Sequence, residues 1–353
     1  MKDLISKRIQ KAVKDKVFPG CVVGVIRKSG ERSILPFGKF TYEEDSNTVQ
    51  ENTIYDVASI TKSIPTSSLL LTLIDQKKTG LEDRVLDYLP EFGNFDIKKE
   101  VLIKHLLTYT LNLVAPSMAS LKNLSPEQII KIIVEAPLRN APGSSFLYTN
   151  STAVFMGLLI ERVSGKKIDE LADKYFFTPL KMHSTSFQTE KFNKDDIVPT
   201  EIDEWRGRRI QGEVHDESTF ILQQKHYTGL AGLFSTVPDM LSFLEILLNY
   251  GTHGRRRFFS PEIVRQMHTN QIADIGKSAG LGWELNQPHF MGYYGTENTF
   301  GKTGFTGCMI LCDIVKEVGI VLLSNRTYPK RPKSSDLINT TRRDIANIIF
   351  DNL

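Results

Sequence analysis

Ser59-Ile60-Thr61-Lys62, preceded by Tyr55-Asp56-Val57-Ala58, is the stretch from which this chain is read. If a helix starts at Ser59, positions three apart share a face, and the Lys62 nitrogen folds back over the Ser59 hydroxyl. A hydroxyl is a poor nucleophile until a neighbouring base removes its proton. The spacing therefore makes Ser59 a candidate nucleophile and Lys62 a candidate proton acceptor. A helix start also offers free backbone N–H groups and a positive dipole end where an oxyanion develops. The motif alone decides little, because Ser164-Gly165-Lys166-Lys167 repeats it. That copy spans a Gly165 helix stop, so its two side chains need not share a face. Pro65 lies one or two turns into the first copy's helix. It predicts a tight or kinked start, since its ring clashes with the carbonyl four residues back.

Working outward, the chain has 353 residues, 41% hydrophobic and 24% charged, which is ordinary globular composition with length for a large core. Lys and Arg number 44 against 41 Asp and Glu, a formal net charge of +3, so nothing calls for nucleic acid or an anionic membrane. No apolar run approaches a membrane span. Three cysteines, Cys21, Cys308 and Cys312, make an odd, sparse set that argues against a disulfide scaffold and fits a reducing compartment. The opening Met1-Lys2-Asp3-Leu4-Ile5 lacks the apolar stretch of a secretory leader. The expectation is a cytoplasmic protein. The sequence carries no signal for its oligomeric state.

Periodicity predicts helices over 3–16, 59–78, 101–109, 126–135, 152–163, 168–177, 237–249, 261–267 and 335–350, and strands over 21–26, 32–37, 281–285, 307–313 and 318–324. Ser125-Pro126-Glu127-Gln128 has the pattern of a capping box with Pro at the first helical position. Strands come from both ends of the sequence and helices fill its middle. The fold class expected is α/β of the α+β type in one domain over 1–353. An antiparallel sheet from 1–57 and 277–353 is flanked by N- and C-terminal helices, with an all-helical part, 58–276, inserted beside it. A site would lie in the crevice between the two parts.

Two further motifs follow Ser59-x-x-Lys62 in order. Tyr148-Thr149-Asn150 is the chain's one Tyr-x-Asn, and its bland reading is that Asn150 or Ser151 caps a helix. Lys302-Thr303-Gly304 has glycines on either side, Gly301 and Gly307, at a strand edge, which lets a substrate approach the backbone. Its duplicate, Lys78-Thr79-Gly80, ends a helix, where Lys and Gly serve as a C-terminal stop. Gly276-Lys277-Ser278-Ala279-Gly280 matches the Gly-x-Ser-x-Gly elbow, but that elbow needs a strand before and a helix after, and here the order is reversed. It reads as a glycine-rich loop. His215-Asp216-Glu217 is not read as a metal site, because the seven histidines show no His-x-x-x-His or paired-Cys spacing. No phosphate loop or dinucleotide fingerprint is present.

The three ordered motifs resemble the serine β-lactamase and penicillin-binding protein superfamily, in the branch of the class C β-lactamases with their esterase and D-peptidase relatives. Pro19-Gly20, Gly212-Glu213-Val214-His215-Asp216, the glycine-rich 229–236 stretch and Ser324-Asn325-Arg326 are similar to segments of that branch. The resemblance implies that Ser59 attacks a carbonyl and is acylated, with Lys62 and Tyr148 sharing the proton; it leaves open which is the base. It implies that Asn150 orients Lys62 and the substrate, that Lys302, Thr303 and Gly304 form a substrate-binding edge, and that Lys302 and Thr303 take a substrate carboxylate. The backbone N–H groups of Ser59 and Phe305 would form the oxyanion hole. No cofactor and no metal are needed, and the partner is a small-molecule ester, amide or β-lactam. Where relatives have a His-Thr-Ser-Gly-Leu segment this chain has Tyr109-Thr110-Leu111-Asn112-Leu113, a departure that bears on substrate shape. The expectation is a serine hydrolase of β-lactamase, carboxylesterase or D-peptidase type. The alternative is a penicillin-binding, sensing or scaffold protein with the same fold and little turnover.

Overall fold

The computed structural model describes residues 1–93 and 96–353. Among them a seven-stranded antiparallel sheet is built from β1 (Gly20–Arg27), β2 (Arg32–Gly38), β3 (Ala279–Gly280), β4 (Trp283–Leu285), β5 (Phe300–Thr303), β6 (Met309–Asp313) and β7 (Val318–Ser324). Its spatial order is β2-β1-β7-β6-β5-β4-β3. The first long strand thus lies beside the last, with Cys21 opposite Ser324 and Arg27 opposite Val318. This is the joining of chain ends that the sequence predicts.

β1, β6 and β7 are apolar runs without polar alternation because both faces of the sheet are covered. Val23, Val25, Ile320 and Leu322 pack on one face against Ile5 and Ile9 of helix α1 (Lys2–Lys14) and Ile345 and Ile349 of the C-terminal helix Asp336–Asp351. Val22, Ile26, Val321 and Leu323 point the other way into a core shared with the middle of the chain. Helix Val237–Leu248 lies on that second face, so close that a Cβ on Gly24 would sit 2.3 Å from Val237 Cγ1. It comes from within the 58–276 block, so that block does more than stand beside the sheet. Nor is it all helical. Phe234–Ser235 pairs with Tyr55–Asp56, Glu201–Asp203 with Arg208–Ile210, and Thr252–His253 with Arg256–Arg257. Strands of two or three residues are too short to leave a period in the sequence, and tertiary packing fixes them.

The start of the motif helix departs from a plain α-helix. Ala58–Lys62 is a 3₁₀ turn, Ser63–Ser67 is a wider turn broken at Ile64 (φ −121°, ψ 108°), and the α-helix proper, Ser68–Asp75, begins only afterwards. Pro65 accounts for the kink. Its missing N–H is offset locally: the Ser67 hydroxyl donates to Lys62 O at 2.7 Å and Ser68 to Ser63 O at 2.8 Å. The predicted strand 281–285 is interrupted at Gly282 (φ 78°), where a Cβ would lie 2.3 Å from that of Ser67. Ser63 Oγ donates to Gly282 O at 2.7 Å, tying this turn to the sheet. The motif therefore stands where sheet and helical block meet.

Candidate active site

A 3₁₀ turn eclipses side chains at i and i+3, whereas an α-helix offsets them. The break before Pro65 thus sets Lys62 directly over Ser59. Lys62 Nζ donates to Ser59 Oγ at 2.9 Å and to the Leu230 carbonyl at 2.7 Å. A neutral amine could accept the hydroxyl proton across the same distance. Lys62 is wholly buried. Burial holds its pKa below the usual lysine range; Tyr148 opposes that, and the Lys302 cation reinforces it. Leu230 reaches Lys62 because Gly229 has no side chain: a Cβ there would lie 2.4 Å from Thr66 Cγ2 and 2.9 Å from Ala153 O.

Ser59, Tyr148, Asn150, Thr303, Gly304 and Phe305 line one cavity of about 600 Å³. Gly304 brings the strand end onto the nucleophile turn, since its Cβ would be 2.4 Å from Val57 O. Among the described residues neither Ser59 N–H nor Phe305 N–H has a backbone acceptor. Two free donors on abutting backbones suit an oxyanion.

Two expectations change. Lys302 stands on β5, a strand that the polar triplet hid from the pattern. It is 0% exposed, its Nζ donates to Glu284 at 2.8 Å, and it is not among the residues lining the cavity. Its ammonium sits 4.1 Å from the Tyr148 ring centre and 4.6 Å from that of Tyr109. Burial alone would lower its pKa, but Glu284, Tyr109 and Tyr148 raise it well above the lysine range. Its ammonium is thus buried among Glu284 and the rings of Tyr148 and Tyr109. Asn150 does reach the cavity, but the second bond of Lys62 goes to Leu230 O rather than to Asn150. Asn150 is the first residue of helix Asn150–Ser164, which Thr149 caps by accepting from Thr152 N.

The cavity wall also carries Arg326, Arg331 and Arg342. Arg331 is matched by Glu201 and Glu217. Arg326 donates only to carbonyls, of Phe305 and Ser334, while Arg342 donates to the carbonyls of Gly304 and Cys308 and to Asn339 Oδ1. Neither meets a carboxylate among the described residues. Arg342 Nε is buried without a partner, and burial followed by Arg326 brings its pKa down to about 9. Glu284 is taken by Lys302, and Asp216 caps helix Glu217–Leu222. The wall is left with two buried, unmatched guanidiniums. Arg342 had a readable signal, an arginine on the apolar stripe of Ile338, Ile345 and Ile349. Tyr109 had one too, as the first residue of the departing segment 109–113, whereas nothing in the sequence pairs Glu284 with Lys302 or brings the Leu230 carbonyl to Lys62.

The other motif copies lie elsewhere. Ser164 Oγ bonds the backbone of Lys166 on the surface, Thr79 bonds Asp83, and Ser278 precedes a strand and accepts from Asn286. Among the described residues no group of acidic, His or Cys side chains could hold a metal ion, and no helix is long and apolar enough to cross a membrane.

The chain belongs to the Beta-lactamase family, whose model matches residues 5–342. It is 28% identical over 306 residues to an Escherichia coli K12 protein provisionally named D-alanyl-D-alanine carboxypeptidase, covering 78% of this chain and 70% of that one. Solved structures share the fold at lower identity. LovD, the simvastatin synthase of Aspergillus terreus, superposes with TM-score 0.76 at 18% identity over 99% of this chain and 98% of its own. EstCE1, a hydrolase with promiscuous acyltransferase activity, gives 0.74 at 20% over 96% and 98%. An octameric penicillin-binding protein homologue from Pyrococcus abyssi gives 0.73 at 23%, over 98% of this chain and 76% of that one. Family and relatives together place the chain among hydrolases of the serine β-lactamase and penicillin-binding kind.

Proposed function

We propose that this protein is a serine acyl-transfer hydrolase acting through an acyl-enzyme on small esters or amides that carry an anionic group. The contact between Lys62 Nζ and Ser59 Oγ at 2.9 Å, with the lysine buried and its pKa lowered, carries the reading. Ser59 Oγ attacks the substrate carbonyl carbon and its proton passes to neutral Lys62. The Ser59 and Phe305 N–H groups receive the oxyanion. As the tetrahedral intermediate collapses, the bond to the alcohol or amine breaks and that group leaves with the proton. Water then attacks the acyl-serine, giving up a proton through Tyr148 and Lys62, and releases a carboxylic acid and free Ser59.

The anionic group is assigned to the Arg326 and Arg342 end, because two buried guanidiniums without a carboxylate are a standing cost that a substrate carboxylate removes. This replaces the Lys302 ammonium as the carboxylate site and leaves Thr303 and Gly304 as the substrate-facing edge.

The test is labelling by a fluorophosphonate and a fluorescent penicillin, followed by turnover. Wild type and Ser278→Ala are expected to be labelled and Ser59→Ala not. Label on Ser59→Ala equal to wild type would sink the nucleophile assignment, and a stable adduct without turnover would favour a penicillin-binding or sensing role. Arg326→Gln is expected to lower kcat/KM for a carboxylate-bearing ester at least tenfold more than for its neutral methyl ester, the size of about one charge-assisted contact. An unchanged ratio of the two would remove the anion from the proposal.

A further inference from the structure

Asp56 and His215 form a buried pair that the reaction as written does not use. Asp56 is 1% exposed and His215 5%. Asp56 Oδ1 accepts from Ala58 N at 2.8 Å, and Oδ2 accepts from His215 N at 2.9 Å and pairs with His215 Nδ1 at 2.8 Å. The carbonyl of Asp56 accepts from Thr306 Oγ1 at 2.7 Å. One residue therefore binds the nucleophile turn, the segment through His215 and the turn after β5.

Ala58, whose N–H Asp56 holds, has φ 49°, a left-handed conformation that a non-glycine residue adopts at a cost of about 1 kcal/mol. That residue aims the Ser59 N–H. On its other side His215 stacks on the Phe305 ring, 5.7 Å between centres and 13° from parallel. Arg326 holds the carbonyl of the same Phe305 at 2.7 Å. The pair thus touches the supports of both proposed oxyanion donors, one through the Ala58 backbone and one through the Phe305 ring.

We infer that Asp56 and His215 are positioning residues for acyl transfer: together they hold the Ser59 and Phe305 N–H groups in the mutual geometry an oxyanion requires. The inference rests on the acyl-enzyme reading of Ser59. The charged groups facing His215 are Asp56, Asp216 beside it and Glu201, with Arg331 and Arg206 on its carbonyl. Burial opposes charge on the ring, yet Asp56 and the other carboxylates raise its pKa, and the carboxylate beside Nδ1 favours a proton on that nitrogen.

Two variants separate the contacts. His215→Asn keeps a donor near the Nδ1 position and loses the stack; His215→Phe keeps the stack and loses the donor. Turnover of a short p-nitrophenyl ester is measured per site titrated with fluorophosphonate, which removes any unfolded fraction. Removing one oxyanion donor outright costs about 10²–10³ in kcat, so a misaimed donor is expected to cost roughly 10- to 100-fold. His215→Phe, which frees the Ala58 side, and His215→Asn, which frees the Phe305 ring, should each show that loss in kcat with KM within about threefold. Should His215→Phe not fold, Asp56→Asn, nearly isosteric, takes its place with the same expected loss. Wild-type kcat per titrated site in His215→Phe, His215→Asn or Asp56→Asn, or a loss carried by KM alone, would overturn the inference and leave the pair structural. If wild type itself forms no Ser59-dependent adduct, the acyl-enzyme reading fails first and this one with it.

Discussion

Lys62→Met is expected to slow acylation of Ser59 by about 10²–10⁴-fold, the range of a positioned general base. Methionine fills a similar volume without a charge, so the buried site stays packed while the proton acceptor is gone. The pH profile carries the sharper test. Lys62 accepts the Ser59 proton only when neutral, and the neutral fraction grows with pH. Acylation in the wild type should therefore rise with pH along a limb set by Lys62. Burial, with help from Lys302, lowers that pKa, so the limb should lie below the ordinary lysine value of about 10.4. Lys62→Met should be flat across that window. Lys62→Arg should be equally slow, since a guanidinium keeps its proton. Single-turnover acylation by an activated ester between pH 6 and 10, on protein checked by circular dichroism, measures all three. A Lys62→Met variant within tenfold of wild type that kept the rising limb would move the base to Tyr148.

The order Ser59, Lys62, Tyr148, Lys302 was legible because each motif lies on one local element, and spacing on one element is what sequence encodes. The closure of the sheet was legible too, since β1, β6 and β7 are apolar runs at the two ends of the chain. β5 was hidden because Gly301, Lys302 and Thr303 break its apolar pattern, though Lys302 is buried and paired. The pairing itself was unreadable: Glu284 reaches Lys302 only because β4 and β5 are sheet neighbours, with Glu284 opposite Gly301. The same holds for Asp56 and His215, which are 159 positions apart. His215 was singled out and set aside as a metal ligand, yet the residue that gives it meaning stands three positions before Ser59. Pro65 was read as tightening or kinking the start of this helix, and the 3₁₀ turn that precedes it eclipses the Ser59 and Lys62 side chains.

Glu284→Gln is expected to destabilise the protein by about 3–5 kcal/mol at neutral pH, because it leaves the buried Lys302 ammonium without its counter-charge. The sign of the pH dependence should invert as well. In the wild type the folded-state pKa of Lys302 is raised, so its stabilising effect is complete below the unfolded value of about 10.4 and is lost only at higher pH. Between pH 6 and 9 this group contributes no slope. Once Glu284 is gone, burial dominates and the folded-state pKa falls below 10.4. The unfolded chain then binds more protons than the native one, so stability of the variant should fall as pH falls and recover toward pH 9. Urea midpoints at pH 6, 7.5 and 9 for both proteins measure this. A second consequence reaches the reaction. The Lys302 cation helps to hold the Lys62 pKa down, and a Lys302 that sheds its proton no longer does so. The acylation limb of Glu284→Gln should therefore shift to higher pH, in the folded fraction and on the same substrate. A variant with wild-type urea midpoints at all three pH values and an unmoved limb would mean that Lys302 finds other partners, and that its charge is not what tunes Lys62.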